Sequence, residues 1–361
     1  MAVQDTGELR RELERIAAST KPILVGPWLS EVGFELLYWI PFLQWFVAEY
    51  EVERSRMLVV SRGGVADWYR HVADRYVDLF SCYSPQEFRA ANVERIAAAG
   101  KEKHESISQF DRAIVAELQP DRIPADFDWL HPRFMYRIFG AYWRREQSTR
   151  LIEEMTCFKN LRVDPDPQVR STLPDDYVAV KFYFSKSLPE STKNARFVSE
   201  ILSSLTATTD VVLLTTGLSV DDHQECSAVA TGRVHRIDAM MTPENNLSIQ
   251  TQVIAGARSF VGTYGGFSYL APFIGTGSVG FYSHEWKFRP VHSEIARRAC
   301  RLLKHGTFDG VKRHGDRAST ERADFVALDV SQADLLRPLF GGLDRRAAPA
   351  AKGVLGTWLR T

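Results

Sequence analysis

Short apolar runs alternate along the chain with longer segments in which apolar residues recur at helical spacing. This alternation predicts parallel β-strands whose two faces are covered by helices. The predicted strands lie at 21–26, 57–61, 177–185, 210–216, 235–240, 259–265 and 278–283. The predicted helices lie at 7–18, 33–50 with a kink at Pro41, 65–76, 85–99, 105–118, 194–207, 246–257, 266–275, 287–304 and 331–343.

The rhythm of strands and helices is interrupted once, in the middle of the chain. Residues 120–175 are rich in aromatic residues and arginine, and they contain the sequence DPDP (164–167), which is typical of a turn or linker. A length of 361 residues also suits two domains of ordinary size. We therefore predict an α/β protein with domains at 1–170 and 171–343 and a C-terminal tail at 344–361.

The amino-acid composition excludes several classes of function. The chain has 45 basic and 45 acidic residues, which argues against a general nucleic-acid binder. Its four cysteines are widely spaced, which suits a reducing cytoplasm better than a disulfide framework. The longest apolar run, Leu36 to Val47, is shorter than the roughly 20 residues that a membrane-spanning helix needs. We therefore expect a cytoplasmic protein with no transmembrane segment; peripheral membrane contact and oligomeric state stay open.

The strongest candidate for chemistry is a glycine-containing segment between a predicted strand and a predicted helix. The sequence there is VGTYGGFS, residues 261–268. Glycine lets a backbone approach a ligand closely, and the free N–H groups of a helix N-terminus suit a phosphate. We predict phosphate contacts from this turn; the alternative is an ordinary tight turn. The candidate residues are Thr263, Tyr264, Gly265, Gly266, Phe267 and Ser268.

The longer run IQTQVIAGARSFVGTYGGFSYLAPFIGTGSVGFYS (249–283) resembles the donor-binding half of GT-B glycosyltransferases. It is especially similar to the fucosyltransferase-like group and to bacterial surface-polysaccharide glycosyltransferases. The resemblance covers about residues 175–285 and, more loosely, 20–65. It implies two Rossmann-like domains that face a cleft. The second domain would hold a nucleotide sugar, and the first a glycan or another acceptor with a hydroxyl group.

The resemblance also implies a cationic segment for the donor phosphates after the first strand of the second half. The fucosyltransferase-like group carries a His-x-Arg-Arg motif there, whereas this chain has KFYFSK (181–186). In that stretch Lys181, Tyr183, Ser185 and Lys186 become candidates for donor binding. Further donor candidates are Thr216 and Gly217, which end another strand, and Asp238, where related enzymes contact the base or ribose.

The first half carries a second strand–loop–helix segment, GPWLSEVGFELLYW (26–39). An inverting glycosyltransferase needs a base for the acceptor hydroxyl, and Glu31 and Glu35 could supply it. We prefer Glu31 because it lies nearer the loop; the alternative is a helix-terminal charge. The substrate-binding candidates are Trp28, Ser30, Gly33 and Arg62, with Glu285 of the second half for sugar or ribose hydroxyls.

No metal-binding signature stands out: the Asp-x-Asp at 164–166 matches by letters, but it lies in the linker. We therefore expect a metal-independent sugar transferase that needs no cofactor beyond its nucleotide-sugar donor. Three alternatives stay open: a sugar-nucleotide epimerase of the same shape, a non-catalytic binding protein on this fold, and an NAD-dependent oxidoreductase. The last is the weakest, since no strand is followed by a full G-x-G-x-x-G motif.

Overall fold

A computed structural model provides the structure of the chain. It describes residues 2–100, 103–119, 121–144, 149–218, 224–226, 233–285, 288 and 290–305, together with 324–332. Among these residues no helix is long and apolar enough to cross a lipid bilayer. The predicted helix at 331–343 falls almost wholly, and the predicted tail at 344–361 entirely, outside the described residues.

The first half is built on a four-stranded parallel sheet in the order β3-β2-β1-β4. The strands are β1 (Ile23–Val25), β2 (Met57–Ser61), β3 (Arg75–Asp78) and β4 (Asp128–Leu130). Strands β1 and β2 are buried throughout, which explains why their sequences are apolar at every position.

Among the described residues, eight helices accompany the first sheet, and the last three of them follow its final strand on the way to the second half. They are α1 (Ala2–Ala18), α2 (Val32–Phe34), α3 (Ile40–Glu49), α4 (Pro85–Ala99), α5 (Gln109–Leu118), α6 (Arg133–Trp143), α7 (Arg150–Glu154) and α8 (Pro167–Ser171). Between α2 and α3 the backbone forms one turn of π-helix, Glu35–Trp39, and Pro41 lies in the first turn of α3. The irregularity expected at Pro41 is therefore a π-turn that ends two residues before the proline.

Three expectations for the first half are wrong or incomplete. The helix predicted at 65–76 is only a 3₁₀ turn, Val65–Tyr69, and β3 follows it. Left-handed Gly64 ends the preceding loop, and only one of the four residues of β3 is buried, so the strand has little apolar signal. Strand β4 and helix α6 were not predicted at all.

The second half has a six-stranded parallel sheet in the order β12-β11-β10-β5-β7-β9, and a short antiparallel pair formed by β6 and β8. Its strands are β5 (Tyr177–Lys181), β6 (Tyr183–Phe184), β7 (Asp210–Leu213), β8 (Gln224–Glu225), β9 (Val234–Arg236), β10 (Ser259–Thr263), β11 (Gly277–Tyr282) and β12 (Phe325–Asp329). Its helices are α9 (Thr192–Thr206), α10 (Asn246–Gly256), α11 (Gly266–Phe273) and α12 (Ser293–His305). The expected α/β class with two Rossmann-like halves is confirmed.

The two sheets take their strands from residues 23–130 and 177–329, so the chain passes from one half to the other within 131–176. A continuous apolar core joins the halves. Polar contacts also cross between them: the Trp68 indole donates to Thr251 at 3.1 Å, and the N–H of Leu247 donates to the carbonyl of Gly63 at 3.0 Å. The two halves therefore contact each other through hydrogen bonds as well as through the apolar core.

Candidate functional site

A cavity of about 250 Å³ lies between the halves, next to the N-terminus of α11. Nine residues singled out in the sequence line it: Glu31, Gly33, Tyr183, Ser185, Lys186, Tyr264, Gly265, Gly266 and Phe267. Seven further lining residues were not predicted: Val32, Phe34, Tyr38, Ser187, Tyr269, Phe288 and His292. The loop after β1, the loop after β6 and the turn after β10 therefore meet in one place, which we call the interdomain cavity.

Gly265 and Ser268 shape the turn that opens α11. The Ser268 hydroxyl accepts from the N–H of Gly265 at 3.0 Å and donates to its carbonyl at 2.8 Å, so its role is to cap the helix. Gly265 has φ +144°, a conformation that side chains rarely adopt, and a Cβ there would lie 2.7 Å from the Tyr183 hydroxyl. The sequence needs glycine here because both the backbone angle and the space exclude a side chain.

The loop after β1 packs directly against this turn. A Cβ on Gly266 would lie 3.0 Å from Cβ of Val32 and 3.1 Å from the amide nitrogen of Gly33. Glu31 immediately precedes this contact, and its exposed side chain makes no capping hydrogen bond to α2. A carboxylate of the first half is thus placed in the same cavity as the helix N-terminus of the second half.

The loop after β6 forms another wall of the cavity. Tyr183 is held by Thr263, whose hydroxyl accepts from the N–H of Tyr183 at 3.0 Å and donates to its carbonyl at 2.8 Å. Thr263 is fully buried and acts on the cavity only through this contact. Farther along the loop, the Ser185 and Ser187 hydroxyls lie 2.9 Å apart, and Ser187 donates to the carbonyl of Tyr264 at 3.0 Å. The exposed Lys186 lies between the two serines.

The opposite end of the cavity is aromatic. His292 shares a hydrogen bond of 2.7 Å with the Tyr38 hydroxyl, and its ring centroid lies 5.0 Å from that of Phe34. Burial, and secondarily the charge of Lys103, lower the pKa of His292 to about 4, so the ring is neutral at pH 7. Tyr38 belongs to an aromatic run visible in the sequence. No sequence motif identifies His292 or Phe288 as cavity residues, because only the folded chain brings them to the cavity.

Three donor candidates lie together outside the cavity. The Lys181 amino group donates to the carbonyl of Leu214 at 2.6 Å and pairs with Glu225 at 3.2 Å. The backbone N–H groups of Thr216 and Gly217 donate to the same carboxylate at 2.8 and 3.1 Å. The pKa of Glu225 is below its ordinary value: burial raises it, but Lys181 and these N–H groups outweigh burial. These groups thus bind a carboxylate of their own chain.

Glu35 and Arg62 are also placed differently from expectation. Glu35 is fully buried and accepts from Ser61 at 2.7 Å and from the Tyr69 hydroxyl at 2.5 Å. Burial raises the pKa of Glu35, and it does not line the interdomain cavity. Arg62 donates to the carbonyls of Ser30 and Trp28 at 2.7 and 3.4 Å. Arg62 therefore shapes the loop that presents Glu31, and it does so from outside the cavity.

The other candidates lie away from the cavity as well. Trp28 is fully buried and stacks on Trp39 and Tyr136 at centroid distances of 5.9 and 6.1 Å, so core packing replaces the expected substrate contact. Ser30 is outside the cavity lining and contributes its carbonyl to Arg62. Asp238 is exposed in a 3₁₀ turn, and Glu285 pairs with Lys193 at 2.9 Å.

One buried cluster in the described residues has side chains of the types that bind metals: His104, Asp111 and His131. The N–H of Arg133 donates to Nδ1 of His131 at 3.0 Å, so the neutral ring carries its proton on Nε2, which faces Asp111 at 3.3 Å. Nε2 of His104 likewise donates to Asp111, at 3.0 Å. Both nitrogens that face the carboxylate thus carry protons, and the cluster is a hydrogen-bonded structural unit.

Burial shifts the pKa values of the three residues in this cluster. Burial lowers the pKa of His131 to about 4 and that of His104 below its usual range, so both rings are neutral at pH 7. Burial would raise the pKa of Asp111, but the hydrogen bonds from the two histidines hold it well below its ordinary value. A neutral pair of imidazoles therefore solvates one buried carboxylate.

No protein-family model matches this chain, and no curated protein matches it in sequence. Solved structures resemble it distantly. A family 9 glycosyltransferase from Veillonella parvula is 10% identical, with 89% of each chain covered and a TM-score of 0.44. The E. coli ADP-heptose LPS heptosyltransferase II is 11% identical, with 73% of this chain and 85% of that chain covered and a TM-score of 0.40.

A UDP-GlcNAc 2-epimerase from Methanocaldococcus jannaschii is 8% identical, with 89% of this chain and 99% of that chain covered and a TM-score of 0.32. Because all three TM-scores are below 0.5, these similarities carry no argument about activity. The function of this chain is therefore inferred from its own residues. The finer resemblance to the fucosyltransferase-like group stays a prediction.

Proposed function

We propose that the protein is a glycosyltransferase that moves a sugar from a nucleotide-activated donor to an acceptor hydroxyl. One observation carries the proposal: the Glu31 carboxylate, the N-terminus of α11 and Lys186 line the same interdomain cavity. A general base and an anion-binding helix terminus on facing halves are what transfer from a sugar phosphate to a hydroxyl requires.

In this proposal the second half binds the donor phosphates. The first N–H groups of α11 have no partner within the helix, and the helix dipole favours a negative charge there. Gly265 and Gly266 line the cavity without side chains of their own, and Lys186 adds a positive charge from the neighbouring loop. Among the described residues that line the cavity, Glu31 is the only carboxylate. Helix and lysine would therefore take the role of a metal in neutralising the leaving phosphate.

The first half binds and activates the acceptor. Glu31 takes the proton from the acceptor hydroxyl as its oxygen bonds to the anomeric carbon of the donor sugar. The bond between that carbon and the phosphate oxygen breaks, and the nucleotide leaves with the electron pair. Phe34, Tyr38 and Phe288 give one end of the cavity aromatic faces, on which the apolar faces of sugar rings can stack.

A panel of ADP-, GDP-, UDP-, CMP- and TDP-sugars and their free nucleotides tests donor binding by thermal shift. At 100 times its dissociation constant, a ligand stabilises the fold by about 2.7 kcal/mol, which gives a measurable shift. We expect one nucleotide class to stabilise the protein. Lys186→Ala should reduce the shift, and Lys21→Ala, which removes an exposed lysine paired with Asp126, should not. The proposal fails if no donor stabilises the protein or if Lys186→Ala keeps the full shift.

A further inference from the structure

A second and larger cavity, of about 560 Å³, lies against the first half. Among the residues that the structure describes, none lines both this cavity and the interdomain cavity. Arg54, Arg70 and Arg75 line it together with Arg162, which comes from the segment that leads to the second half. We call it the arginine cavity.

The arginine cavity lies toward the edge of the sheet where strands begin. Arg54 shortly precedes β2, and Arg75 is the first residue of β3. The interdomain cavity, in contrast, is reached by the loop after β1, at the other end of a parallel strand. Because strands of a parallel sheet begin at one edge and end at the other, the two cavities are separate sites. A ligand of the arginine cavity would therefore bind whether or not the interdomain cavity transfers a sugar.

Two of the four arginines are fixed by carboxylates of the chain itself. Arg70 pairs with Asp67 at 2.7 Å and with Asp164 at 2.5 Å. Arg54 pairs with Asp74 at 3.5 Å and donates to the carbonyl of Arg70 at 2.7 Å. These contacts fix two guanidinium groups in place and partly neutralise them.

Arg75 and Arg162 supply the uncompensated charge. Neither forms an ion pair with the described residues; Arg75 donates only to the carbonyl of Arg122, at 3.3 Å. His71 also lines the cavity, and its pKa is lowered by burial and further by the positive charges of Lys159, Arg162 and Arg54. Asp67 and Asp74 are the only carboxylates among the described lining residues, so positive charge prevails.

We propose that the arginine cavity binds a small ligand that carries two or more phosphate groups. Each guanidinium can bind phosphate oxygens through two parallel hydrogen bonds. The four arginines come from three separate stretches of chain and surround a volume that a single phosphate does not fill. The phenol rings of Tyr69 and Tyr76 provide a wall beside them. The phosphates belong to a soluble metabolite or to a lipid headgroup, and both sources share this chemistry.

Inorganic triphosphate serves as the probe ligand. Isothermal titration calorimetry measures its binding, first at low salt and then at higher salt. We expect triphosphate binding that weakens as salt rises, because exposed charges are screened. The share of binding at the proposed donor site is lost in Lys186→Ala, so the arginine cavity is also titrated in that background. Arg162→Glu and, separately, Arg75→Gln should each weaken binding at least about tenfold, since each removes a charge-assisted contact. Both side chains are exposed, so circular dichroism should show the fold unchanged.

Two control variants make the result specific. Arg150→Ala removes an arginine of α7 that is 82% exposed, pairs with Glu154 and does not line the cavity, and it should bind normally. Lys186→Ala alters the interdomain cavity and should retain the binding at the arginine cavity. The inference is overturned if triphosphate and anionic vesicles both fail to bind, if Arg162→Glu binds with wild-type affinity, or if Lys186→Ala alone abolishes binding.

Vesicles of phosphatidylcholine with and without a phosphatidylinositol bisphosphate, whose headgroup carries several phosphates, distinguish the two sources. Binding of free triphosphate without sedimentation on either vesicle supports a soluble ligand. Sedimentation on the anionic vesicles alone, lost in Arg162→Glu, supports a lipid headgroup.

Discussion

Replacing Gly265 with alanine adds a single carbon atom, the Cβ, to the backbone turn of the proposed donor site. Gly265 has φ +144° and ψ −149°, a region that is essentially restricted to glycine. Occupying it with another residue costs about 1–3 kcal/mol. The new Cβ would also lie 2.7 Å from the Tyr183 hydroxyl, so either that ring or the turn must shift. We therefore expect both a loss of stability in this range and a loss of donor affinity.

Gly100→Ala is the matched control. Gly100 also has a positive φ, +65°, but no atom lies within 4 Å of the added Cβ. Its cost is therefore only the backbone term, about 1–2 kcal/mol. Urea unfolding gives the free energy of unfolding of both variants. Calorimetry gives their affinity for the nucleotide sugar that stabilises the wild type. The reasoning is refuted if Gly265→Ala binds that donor as the wild type does, or if Gly100→Ala loses donor affinity equally.

Three further outcomes are expected. The free energy of unfolding should fall between pH 6.5 and 4, because the folded-state pKa values of His292 and His131, both about 4, lie below the unfolded value; His292→Asn should reduce this fall in urea titrations and leave the part due to His131. Trp28→Ala should cost about 3–5 kcal/mol by the same measurement, since it empties a packed site between Trp39 and Tyr136; a loss under 1 kcal/mol would contradict this. Sugar transfer should persist in excess EDTA; its abolition, with recovery on adding Mg²⁺, would contradict the proposed charge neutralisation.

Elements with strong local signals could be predicted from the sequence. Strands β2 and β10 are apolar runs that are buried on both faces, and the glycine turn at 261–268 opens a helix as its pattern indicates. One helix begins where it was predicted: α4 begins at Pro85, and Ser84 and Glu87 form a reciprocal capping pair there. In these places the local preference and the tertiary structure agree.

Other features depend on contacts that no local pattern records. Strand β3 carries Arg75 and Asp78, and only one of its four residues is fully buried, so it lacks the apolar signature of a strand. Lys181 interrupts an apolar strand, and its partner Glu225 lies 44 positions away in the sequence. Trp28 stands beside the glycine loop in the sequence, yet it points into the core. Sequence position alone could not separate residues that line the cavity from residues that support it.

The central claim concerns Glu31, an exposed carboxylate in the interdomain cavity. Single-turnover transfer at saturating donor, with wild type, Glu31→Gln and the exposed control Glu94→Gln, tests it most directly. General base catalysis contributes about 10²–10⁴-fold, so Glu31→Gln should lose at least about 10²-fold in rate while donor affinity and the Glu94→Gln rate stay unchanged. A transfer rate of Glu31→Gln equal to that of the wild type would contradict the account.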